Sequence, residues 1–496
     1  MNKKKVNCAE SEVQRKEPKK ILFIGAEVMP FAATGGLGDV MGSLPAAICR
    51  AGGDDVDVRV VMPLYSAIGE KWRREMKDEY AKTVYLSWRQ QYCGVKSLKK
   101  DGVTYYFIDN EYYFNRPTLY GAFDDGERYA FFCMAALDLI GMTEFYPDVL
   151  HAHDWQAALS VIYLNTLFRH RAGYENIRTV FTIHNIEYQG KYDFSILGDV
   201  FGLPYELRDL LEYNGCINLM KAAIESADRV STVSPRYAEE ICSAEYAHDL
   251  HHILRRNREK LRGILNGIDY VYYDPETDPV ITAQYTAAKP AGKSEDKAAL
   301  QMAYGLPIRA DVPMIAIISR LAAHKGIDLI SEIAYRLIGS HDVQLVVLGK
   351  GEERYESFFR ELEQSYPDRV RALIEYDRDL SKKIYAAADI FLMPSKSEPC
   401  GLSQMIASRY GAVPVTRETG GLYDSIKGYW EKHGWPMGNG FTFANYSSAE
   451  LYDRIEAALA LYEKPGKWAR LVHKAMKTDF SWTASAVKYL EMYDEI

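Results

Sequence analysis

Short apolar runs alternate with helix-like stretches along almost the whole chain, and few architectures accommodate such an alternation. Five runs lie in the first half, at residues 19–28, 56–65, 147–155, 177–185 and 227–235. Helix-like stretches separate them, for example at 125–140 and 156–170. Apolar runs this short are typical of buried parallel strands, and strands that alternate with helices form a doubly wound sheet. The sequence therefore predicts an α/β fold.

The alternation is interrupted once, at residues 274–300, a stretch rich in Pro, Asp, Thr and Ala. It then resumes, with apolar runs at 312–320, 343–351, 388–395 and 412–421 and a helix from 326 to 338. A chain of 496 residues is too long for one ordinary core. We therefore expect two α/β domains of similar size, with the crossing between them in the interrupted stretch.

The charge and the cysteine pattern disfavour several classes of partner and site. Sixty Lys and Arg residues against 68 Asp and Glu residues give a net charge of −8, which disfavours nucleic acid or an anionic membrane as the main partner. The seven cysteines form no CxxC pair, so neither a disulfide framework nor a zinc site is predicted. The first 20 residues are polar, and the chain contains no 18-residue apolar run. We predict a cytoplasmic protein with a flexible N-terminal tail.

Two similar glycine turns, TGGLGDV at 34–40 and TGGLYDS at 419–425, each follow a predicted strand and open a predicted helix. Glycines at a helix N-terminus let an anion approach the free backbone amides, as in a phosphate-binding loop. Residues 30–45, around the first turn, contain no Lys or Arg. Chance similarity is one interpretation; the other is a pair of facing anion or sugar sites, the first of which needs its positive charge from elsewhere.

Charged residues follow the predicted strands of the second half, at the carboxyl ends where open α/β sheets bind ligands. Arg320 and Lys325 lie between a strand and a helix, where two cations suit a diphosphate; two ordinary surface cations are the alternative. Glu398 either caps the dipole of the next helix or accepts hydrogen bonds from sugar hydroxyls. Cys400 lies close by, but no histidine can be paired with it from sequence, so a catalytic thiol is disfavoured.

Five polar residues end two strands of the first half: His151, His153, Asp154, His184 and Asn185. Their spacing fits no zinc pattern, so we predict no metal. Capping of local backbone by Asp154 and Asn185 is as good an interpretation as ligand binding. His184 is the best functional candidate, because it follows a strand at a position that faces the expected cleft.

Taken together, these motifs resemble the bacterial glycogen and starch synthases, which build α-1,4-glucan from a nucleotide-diphosphate glucose. The resemblance runs from about residue 19 to residue 496. Its motifs, in chain order, are ATGGLGDVMGSLP, LYGAFDDGERYAFF, HAHDWQAAL, TIHNIEYQG, STVSPRYAEEI, GILNGIDY, SRLAAHKGID, PSKSEPCGLSQMIASRYG, RETGGLYDSI and DFSWTASAVKYLEMY. So many long motifs in one order make the resemblance highly specific.

The resemblance implies a GT-B fold, in which two Rossmann-like domains face each other across a cleft. It divides the chain into a tail (1–18), an acceptor-side domain (19–272), a nucleotide-sugar-binding domain (273–478) and a final helix (479–496) that returns to the first domain. It also implies retention of the anomeric configuration, no cofactor and no metal. Without a metal, cations and helix N-termini must stabilise the departing diphosphate.

Carried over onto this sequence, the resemblance implies four catalytic residues. Arg320 and Lys325 would grip the donor diphosphate, Glu398 would bind the transferred glucose, and His184 would place its backbone carbonyl beside the anomeric carbon. The implied donor-binding residues are Gly35, Gly36, Asn266, Tyr376 (against the base), Cys400, Gly401, Leu402, Thr419, and Gly420 and Gly421 (whose amides face the distal phosphate). The implied acceptor- or sugar-binding residues are Glu27, Asp39, Asp154 and Asn185.

The sequence departs from the family pattern at three places. Ala33 stands where the family usually has a lysine that reaches the donor phosphates. A charge-assisted contact contributes about 1.5–3 kcal/mol, so its loss would lower donor affinity by about one to two orders of magnitude. Asp377-Arg378 replaces a common Asp-Glu next to Tyr376, and Ser397 replaces a usual Phe.

The leading hypothesis is a hexosyltransferase that transfers glucose from ADP-glucose to the non-reducing end of an α-1,4-glucan. UDP-glucose, or relaxed donor use, is the variant that Ala33 raises. A weakly active or inactive homologue that binds glucan and regulates another enzyme is the hypothesis of a different class. A pyridoxal-phosphate phosphorylase is disfavoured, because no cofactor-lysine motif is recognisable. Acceptor length, oligomeric state and regulation are not determined by the sequence.

Overall fold

The computed structural model describes residues 17–496 and contains two Rossmann-like domains, each built on a parallel sheet with helices packed on it. Residues 1–16, which belong to the predicted flexible tail, lie outside the described residues. Within residues 17–496, no helix has both the length and the apolar character needed to cross a bilayer. The two-domain α/β architecture predicted from the sequence is confirmed.

The first half of the chain forms twelve strands and ten α-helices within the described residues. The strands are β1 (Lys19–Ile24), β2 (Val56–Pro63), β3 (Lys77–Leu86), β4 (Arg89–Lys100), β5 (Val103–Asp109), β6 (Val149–His153), β7 (Arg178–Ile183), β8 (Lys191–Tyr192), β9 (Glu212–Tyr213), β10 (Cys216–Asn218), β11 (Arg229–Thr232) and β12 (Leu261–Gly263). The helices are α1 (Gly36–Gly52), α2 (Glu70–Glu75), α3 (Glu111–Phe114), α4 (Asp125–Thr143), α5 (Asp154–Tyr163), α6 (Ile196–Asp199), α7 (Arg208–Leu211), α8 (Leu219–Ser226), α9 (Pro235–Glu240) and α10 (His251–Arg256).

The second half forms the remaining elements. Its strands are β13 (Met314–Ile318), β14 (Gln344–Leu348), β15 (Val370–Leu373), β16 (Ile390–Met393), β17 (Val413–Arg417), β18 (Glu431–Lys432), β19 (Trp435–Pro436) and β20 (Phe441–Phe443). Its helices are α11 (Gly292–Ala303), α12 (Ile327–Ser340), α13 (Glu353–Ser365), α14 (Arg378–Ala387), α15 (Ser403–Arg409), α16 (Gly420–Ser425), α17 (Ser448–Tyr462), α18 (Pro465–Lys477) and α19 (Trp482–Asp494).

The first sheet has nine strands in the order β12-β11-β7-β6-β1-β2-β5-β4-β3. The strands from β12 to β5 run parallel. The predicted apolar runs contain β1, β2, β6, β7 and β11, whereas β5 and β12 were not predicted. The strands β3 and β4 are antiparallel additions that the apolar pattern did not predict. The reason is that β3 is mostly exposed, so it lacks the continuous apolar run of a buried strand.

The second sheet has six parallel strands in the order β15-β14-β13-β16-β17-β20. Helix α12 illustrates why the helices of the second domain pack on this sheet. Its buried residues Ile327, Ile330, Ala334, Leu337 and Ile338 recur at helical spacing and form one apolar face. Helix α11 begins inside the stretch 274–300, where the sequence predicted only the crossing between domains.

The final helix α19 returns to the first domain, as predicted. The amide of Ile268 donates to the carbonyl of Phe480 at 2.8 Å, and the Ser485 hydroxyl donates to the carbonyl of Leu265 at 2.5 Å. Gly267 permits this approach, because a Cβ there would lie 2.6 Å from the amide nitrogen of Trp482. The predicted domain boundaries at 272/273 and 478/479 stay predictions.

The buried hydroxyl of Tyr493 ties α19 to the first sheet, since it lies 2.7 Å from Nδ1 of the buried residue His151. We expect Tyr493→Phe to lower the free energy of unfolding by about 1–3 kcal/mol, because the imidazole would lose a partner away from water. The matched control is Tyr429→Phe, whose hydroxyl bonds to the side chain of Glu431 in an exposed hairpin. Thermal denaturation should show a clearly larger shift for Tyr493→Phe, and equal shifts would contradict this account.

Candidate functional site

The predicted site residues follow the carboxyl ends of parallel strands in both domains. In the first domain, Glu27 follows β1, Asp154 follows β6, and His184 and Asn185 follow β7. In the second domain, Arg320 and Lys325 follow β13, the segment from Glu398 to Leu402 follows β16, and the segment from Thr419 to Gly421 follows β17. Because the carboxyl ends of parallel strands meet at one edge of a sheet, each domain presents its residues along one edge.

The first glycine turn is held by a buried carboxylate. Glu27 accepts hydrogen bonds from the amide of Thr34 at 2.5 Å, its hydroxyl at 2.8 Å, the amide of Gly35 at 3.1 Å and the hydroxyl of Tyr120 at 2.7 Å. A Cβ added at Gly35 or Gly36 would meet no atom within 4 Å, so open space lies in front of the turn. The turn is therefore rigid and accessible, and Glu27, predicted to bind sugar, is engaged in holding it.

The ends of β6 and β7 are joined by Asp154. Its Oδ1 accepts a hydrogen bond from the amide of His184 at 2.7 Å. Burial raises the pKa of Asp154 to about 7, although hydrogen bonds from the amides of His184 and Asn185 oppose that rise. The side chain of Asn185 accepts from the amide of Glu187 at 3.0 Å. The local capping roles that the sequence left open for Asp154 and Asn185 are thus what their side chains perform in this conformation.

A chain of three buried histidines runs inward from His184. Nε2 of His184 lies 2.8 Å from Nδ1 of His153, and the rings of His153 and His151 lie 4.1 Å apart. Burial lowers the pKa of His184 to about 3 and also lowers the pKa of His151 and His153. The side chain of His184 is therefore neutral near pH 7. No hydrogen bond to its backbone carbonyl is found within residues 17–496.

In the second domain, the ammonium group of Lys325 lies 2.7 Å from Oε2 of Glu398, to which the Ser395 hydroxyl also donates at 3.1 Å. Gly326, at φ +75°, brings the loop after β13 against the loop after β16: a Cβ there would lie 2.2 Å from the carbonyl oxygen of Pro394. The structure thus brings two of the predicted catalytic residues into one ion pair.

The side chain of Arg320 is exposed, and it makes no hydrogen bond or ion pair with any residue between 17 and 496. The pKa of His324 is lowered, first by burial and then by the charges of Lys325 and Arg320. The loop after β13 is therefore a region of positive potential, as a diphosphate site requires.

The segment Cys400–Leu402 leads into α15. In the described part of the chain, no acceptor is found for the amides of Cys400, Gly401 and Leu402. Burial raises the pKa of the Cys400 thiol to about 12, which rules out a thiolate nucleophile near pH 7. Asn266, also predicted to line the cleft, is buried, and its Oδ1 has no partner among the described residues. These free donors and this free acceptor are suited to a polar ligand.

The second glycine turn is occupied by a side chain from the first domain. The carboxylate of Glu240, in α9, accepts from the amide of Gly420 at 3.0 and 3.1 Å and from the hydroxyl of Thr419 at 3.2 and 3.3 Å. The amide of Gly421 donates to the carbonyl of Glu398 at 3.1 Å. The predicted contact of these amides with a distal phosphate stays a prediction, and for Gly420 it requires Glu240 to move.

Asp39 and Tyr376, both predicted site residues, are linked through Arg378, which was not predicted to belong to the site. Asp39 of the first domain forms an ion pair with Arg378 of the second, with Oδ1 and Nη2 at 3.1 Å. Nε of Arg378 donates to the hydroxyl of Tyr376 at 3.2 Å, and Tyr376 is 77% exposed. Sequence reasoning missed Glu240, Arg378 and His153 as contacts of the site. His153 and Glu240 lie in motifs that carry the family resemblance, and Arg378 is a departure from the family pattern, but no pattern indicated their contacts.

The described residues contain no group of three or more His, Cys, Asp and Glu side chains arranged to hold a metal ion. The predicted independence from metal and cofactor stays a prediction.

Comparisons with known proteins agree on one family. The starch synthase catalytic domain family matches residues 20–256, and the glycosyl transferases group 1 family matches residues 305–474. The chain is 46% identical to a glycogen synthase of Geobacillus thermodenitrificans, over 96% of this chain and 98% of that protein. It is 44% identical to a glycogen synthase of Bacillus subtilis, with the same coverage of both chains.

One solved structure supports the same family, and a second shares the fold. The catalytic domain of starch synthase IV from Arabidopsis thaliana, bound to ADP and acarbose, superimposes with a TM-score of 0.89 at 36% identity, covering 96% of this chain and 99% of that one. A sucrose-phosphate synthase from Thermosynechococcus elongatus has a TM-score of 0.60 at 18% identity, over 96% of this chain and 98% of that one, which shows a shared fold only.

The raised pKa of Asp154 predicts a specific dependence of stability on pH. A buried carboxyl whose folded-state pKa of about 7 exceeds its unfolded value binds its proton more tightly in the folded state. Its contribution to stability is complete below about pH 4 and is lost as the pH rises towards 7.

We therefore expect wild type to lose stability relative to Asp154→Asn between pH 4 and pH 7, since asparagine keeps the acceptor oxygen without the charge. Thermal midpoints of both proteins across this range measure the difference. Asp193→Asn is the control, because this aspartate is exposed and hydrogen bonds from Ser195 lower its pKa. If the thermal midpoints of wild type and Asp154→Asn changed in parallel with pH, the raised pKa of Asp154 would be contradicted.

Proposed function

Because the chain belongs to the glycogen and starch synthase family of hexosyltransferases, we propose that it transfers glucose from ADP-glucose to the non-reducing end of an α-1,4-glucan. The observation that carries the proposal is the cluster of Lys325, Glu398 and the open amides of Cys400–Leu402, with Arg320 exposed on the neighbouring loop. This cluster combines the positive groups that a diphosphate needs with a carboxylate that suits sugar hydroxyls.

The donor side of the reaction is assigned to the second domain. When the bond between the anomeric carbon and the phosphate oxygen breaks, negative charge develops on the diphosphate. Arg320, Lys325 and the amides at the start of α15 stabilise that charge, which is the term that lowers the barrier most in such reactions. Glu398 accepts hydrogen bonds from the glucose hydroxyls, and it does so in exchange for part of its ion pair with Lys325.

The acceptor side is assigned to the first domain. The free backbone carbonyl of His184 lies beside the anomeric carbon and stabilises the positive charge that develops there. The His184 ring, which is neutral because it is buried and which bonds to His153, orients that carbonyl without adding a competing positive charge. Asp154 fixes the same loop through the amide of His184. The acceptor hydroxyl bonds to the anomeric carbon on the face that the diphosphate leaves, and its proton passes to the departing phosphate oxygen.

Nucleotide-glucose and glucan are the proposed partners, and no metal or cofactor takes part. The starch synthase IV structure was solved with ADP and acarbose, which supports an adenine nucleotide and a glucan here. UDP-glucose, or relaxed donor use, is the variant to be compared. A weakly active, glucan-binding regulator is the second candidate, and Ala33 is the observation that favours it.

Transfer of labelled glucose to glycogen tests the proposal, with ADP-glucose and UDP-glucose compared at equal concentration. We expect turnover well above a no-enzyme control and a preference for ADP-glucose. Ala33→Lys should raise the affinity for the donor modestly, because it adds a cation at the first turn. If wild type is inactive and Ala33→Lys restores turnover, the regulatory candidate is correct and the proposal is wrong.

Lys325→Ala should lower kcat/KM by about 100- to 1,000-fold, because it removes one group that stabilises the departing diphosphate. Lys396→Ala is the matched control: it removes an exposed lysine two residues from Glu398 that is 5.9 Å from the Tyr446 ring and lies outside the proposed machinery. Steady-state kinetics with both substrates measure the change. A loss of similar size in both variants would show a nonspecific effect of charge.

A further inference from the structure

An arginine from the second domain reaches the first glycine turn. Arg378 begins α14, and its Nη2 lies 3.1 Å from Oδ1 of Asp39, which lies in the first turn of α1. Both side chains are about 30% exposed. The position of Arg378 is fixed by its neighbour Asp377, whose carboxylate caps the helix by accepting from the amide of Leu380 at 2.8 Å. The contact therefore joins two rigid helix starts.

Asp39 and the glycine turn form one unit. Ala33 lies directly against Gly38, where a Cβ would be 2.2 Å from the Ala33 methyl group. Glu27 holds Thr34 and Gly35 from the other side. Asp39, which binds the guanidinium, directly follows Gly38, the glycine that packs on Ala33.

Without Arg378, the charge around this turn would be unfavourable for a diphosphate. The turn offers accessible backbone at Gly35 and Gly36, but Ala33 carries no charge, and the carboxylates of Glu27 and Asp39 belong to the same unit. Among residues 17–496, Arg378 is the cation that forms an ion pair with this unit. Its charge offsets that of Asp39 and leaves further N–H donors on the guanidinium.

We propose that Arg378 supplies, from the opposite domain, the positive charge that the first glycine turn lacks, and that it binds the diphosphate of the sugar donor. This inference rests on the proposed function. A guanidinium has five N–H donors in a planar fork, so it binds phosphate oxygens while keeping a bond to Asp39 or Tyr376. Arg378 is a donor-binding residue in this assignment, and its bond to Asp39 also positions the two domains.

The aromatic surroundings of Arg378 suit this role. Nε donates to the hydroxyl of Tyr376, and the guanidinium also lies close to Tyr272 and Tyr273. These rings restrict where the side chain can lie while leaving it partly exposed. The arginine is therefore oriented before the donor arrives, which reduces the entropy lost on binding.

The experiment measures ADP and AMP binding by calorimetry for wild type, Arg378→Ala, Arg378→Lys and Lys383→Ala. We expect Arg378→Ala to weaken ADP binding roughly 10- to 100-fold and AMP binding much less, because the contact is with the diphosphate. Arg378→Lys should retain part of the affinity. Lys383→Ala, which removes an exposed cation from the same helix, should bind ADP like wild type.

A second substitution tests whether a positive charge at position 33 can replace the one removed at position 378. Ala33→Lys in the Arg378→Ala background should recover most of the lost ADP affinity, and Ala33→Lys alone should gain less. In transfer assays, Arg378→Ala should raise the KM for the donor with little change in kcat or in the KM for glycogen. Circular dichroism confirms that each variant is folded.

Three results would overturn the inference: unchanged ADP affinity in folded Arg378→Ala, an equal loss for ADP and AMP, or no recovery by Ala33→Lys. The first would leave Arg378 as a domain contact only, and the second would place it on the nucleoside. Each can occur while wild type transfers glucose normally, so the proposed function would stand. The proposed function fails on a separate result, namely that wild type transfers no glucose. If wild type also fails to bind ADP, both the proposed function and this inference are wrong.

Discussion

Three groups of the cleft that could bind an anion are held by carboxylates of the protein itself, whereas Arg320 is exposed and has no such partner among the described residues. Lys325 is paired with Glu398, Arg378 with Asp39, and the amide of Gly420 with Glu240. A buried or half-buried cation without a partner is unfavourable, so a site built for an anionic ligand needs such partners while it is empty. A diphosphate that binds there replaces one anion by another. Its affinity is therefore a difference between two electrostatic interactions, and the carboxylates influence it as much as the cations do.

Two of these three pairs connect the domains. Asp39 and Glu240 belong to the first domain, whereas Arg378 and Gly420 belong to the second. A further hydrogen bond also joins the two domains: the Ser234 hydroxyl donates to the carbonyl of Pro399 at 2.8 Å. A ligand that competes for either carboxylate also changes the contact between the domains. Under the proposed function, donor binding and domain position are coupled through the same atoms, which gives a physical basis for closure of the cleft.

The sequence predicted the two-domain α/β fold and the return of the final helix, because periodicity and motifs act over many residues. It could not predict contacts such as Arg378 with Asp39, whose partners lie 339 positions apart. It also missed β3, which is mostly exposed, and the bond between His153 and His184, since spacing in a sequence says nothing about which rings meet. The binding of sugar by Glu27 and Asp154 stays a prediction, and the sequence could not show that backbone amides of the folded turns occupy their carboxylates.

The return of α19 determines when the first domain can finish folding during synthesis. Lys19, at the start of the central strand β1, donates to the backbone carbonyl of Tyr493 at 3.0 Å, and Glu495 pairs with Arg229 and Arg262. Domains generally fold in order as the chain leaves the ribosome. Here Tyr493, which bonds to His151, lies 342 positions after it in the chain, so the first domain cannot be completed before the second domain has been synthesised. A chain released after residue 478 would contain every residue of the proposed cleft and still lack the helix that completes the first domain.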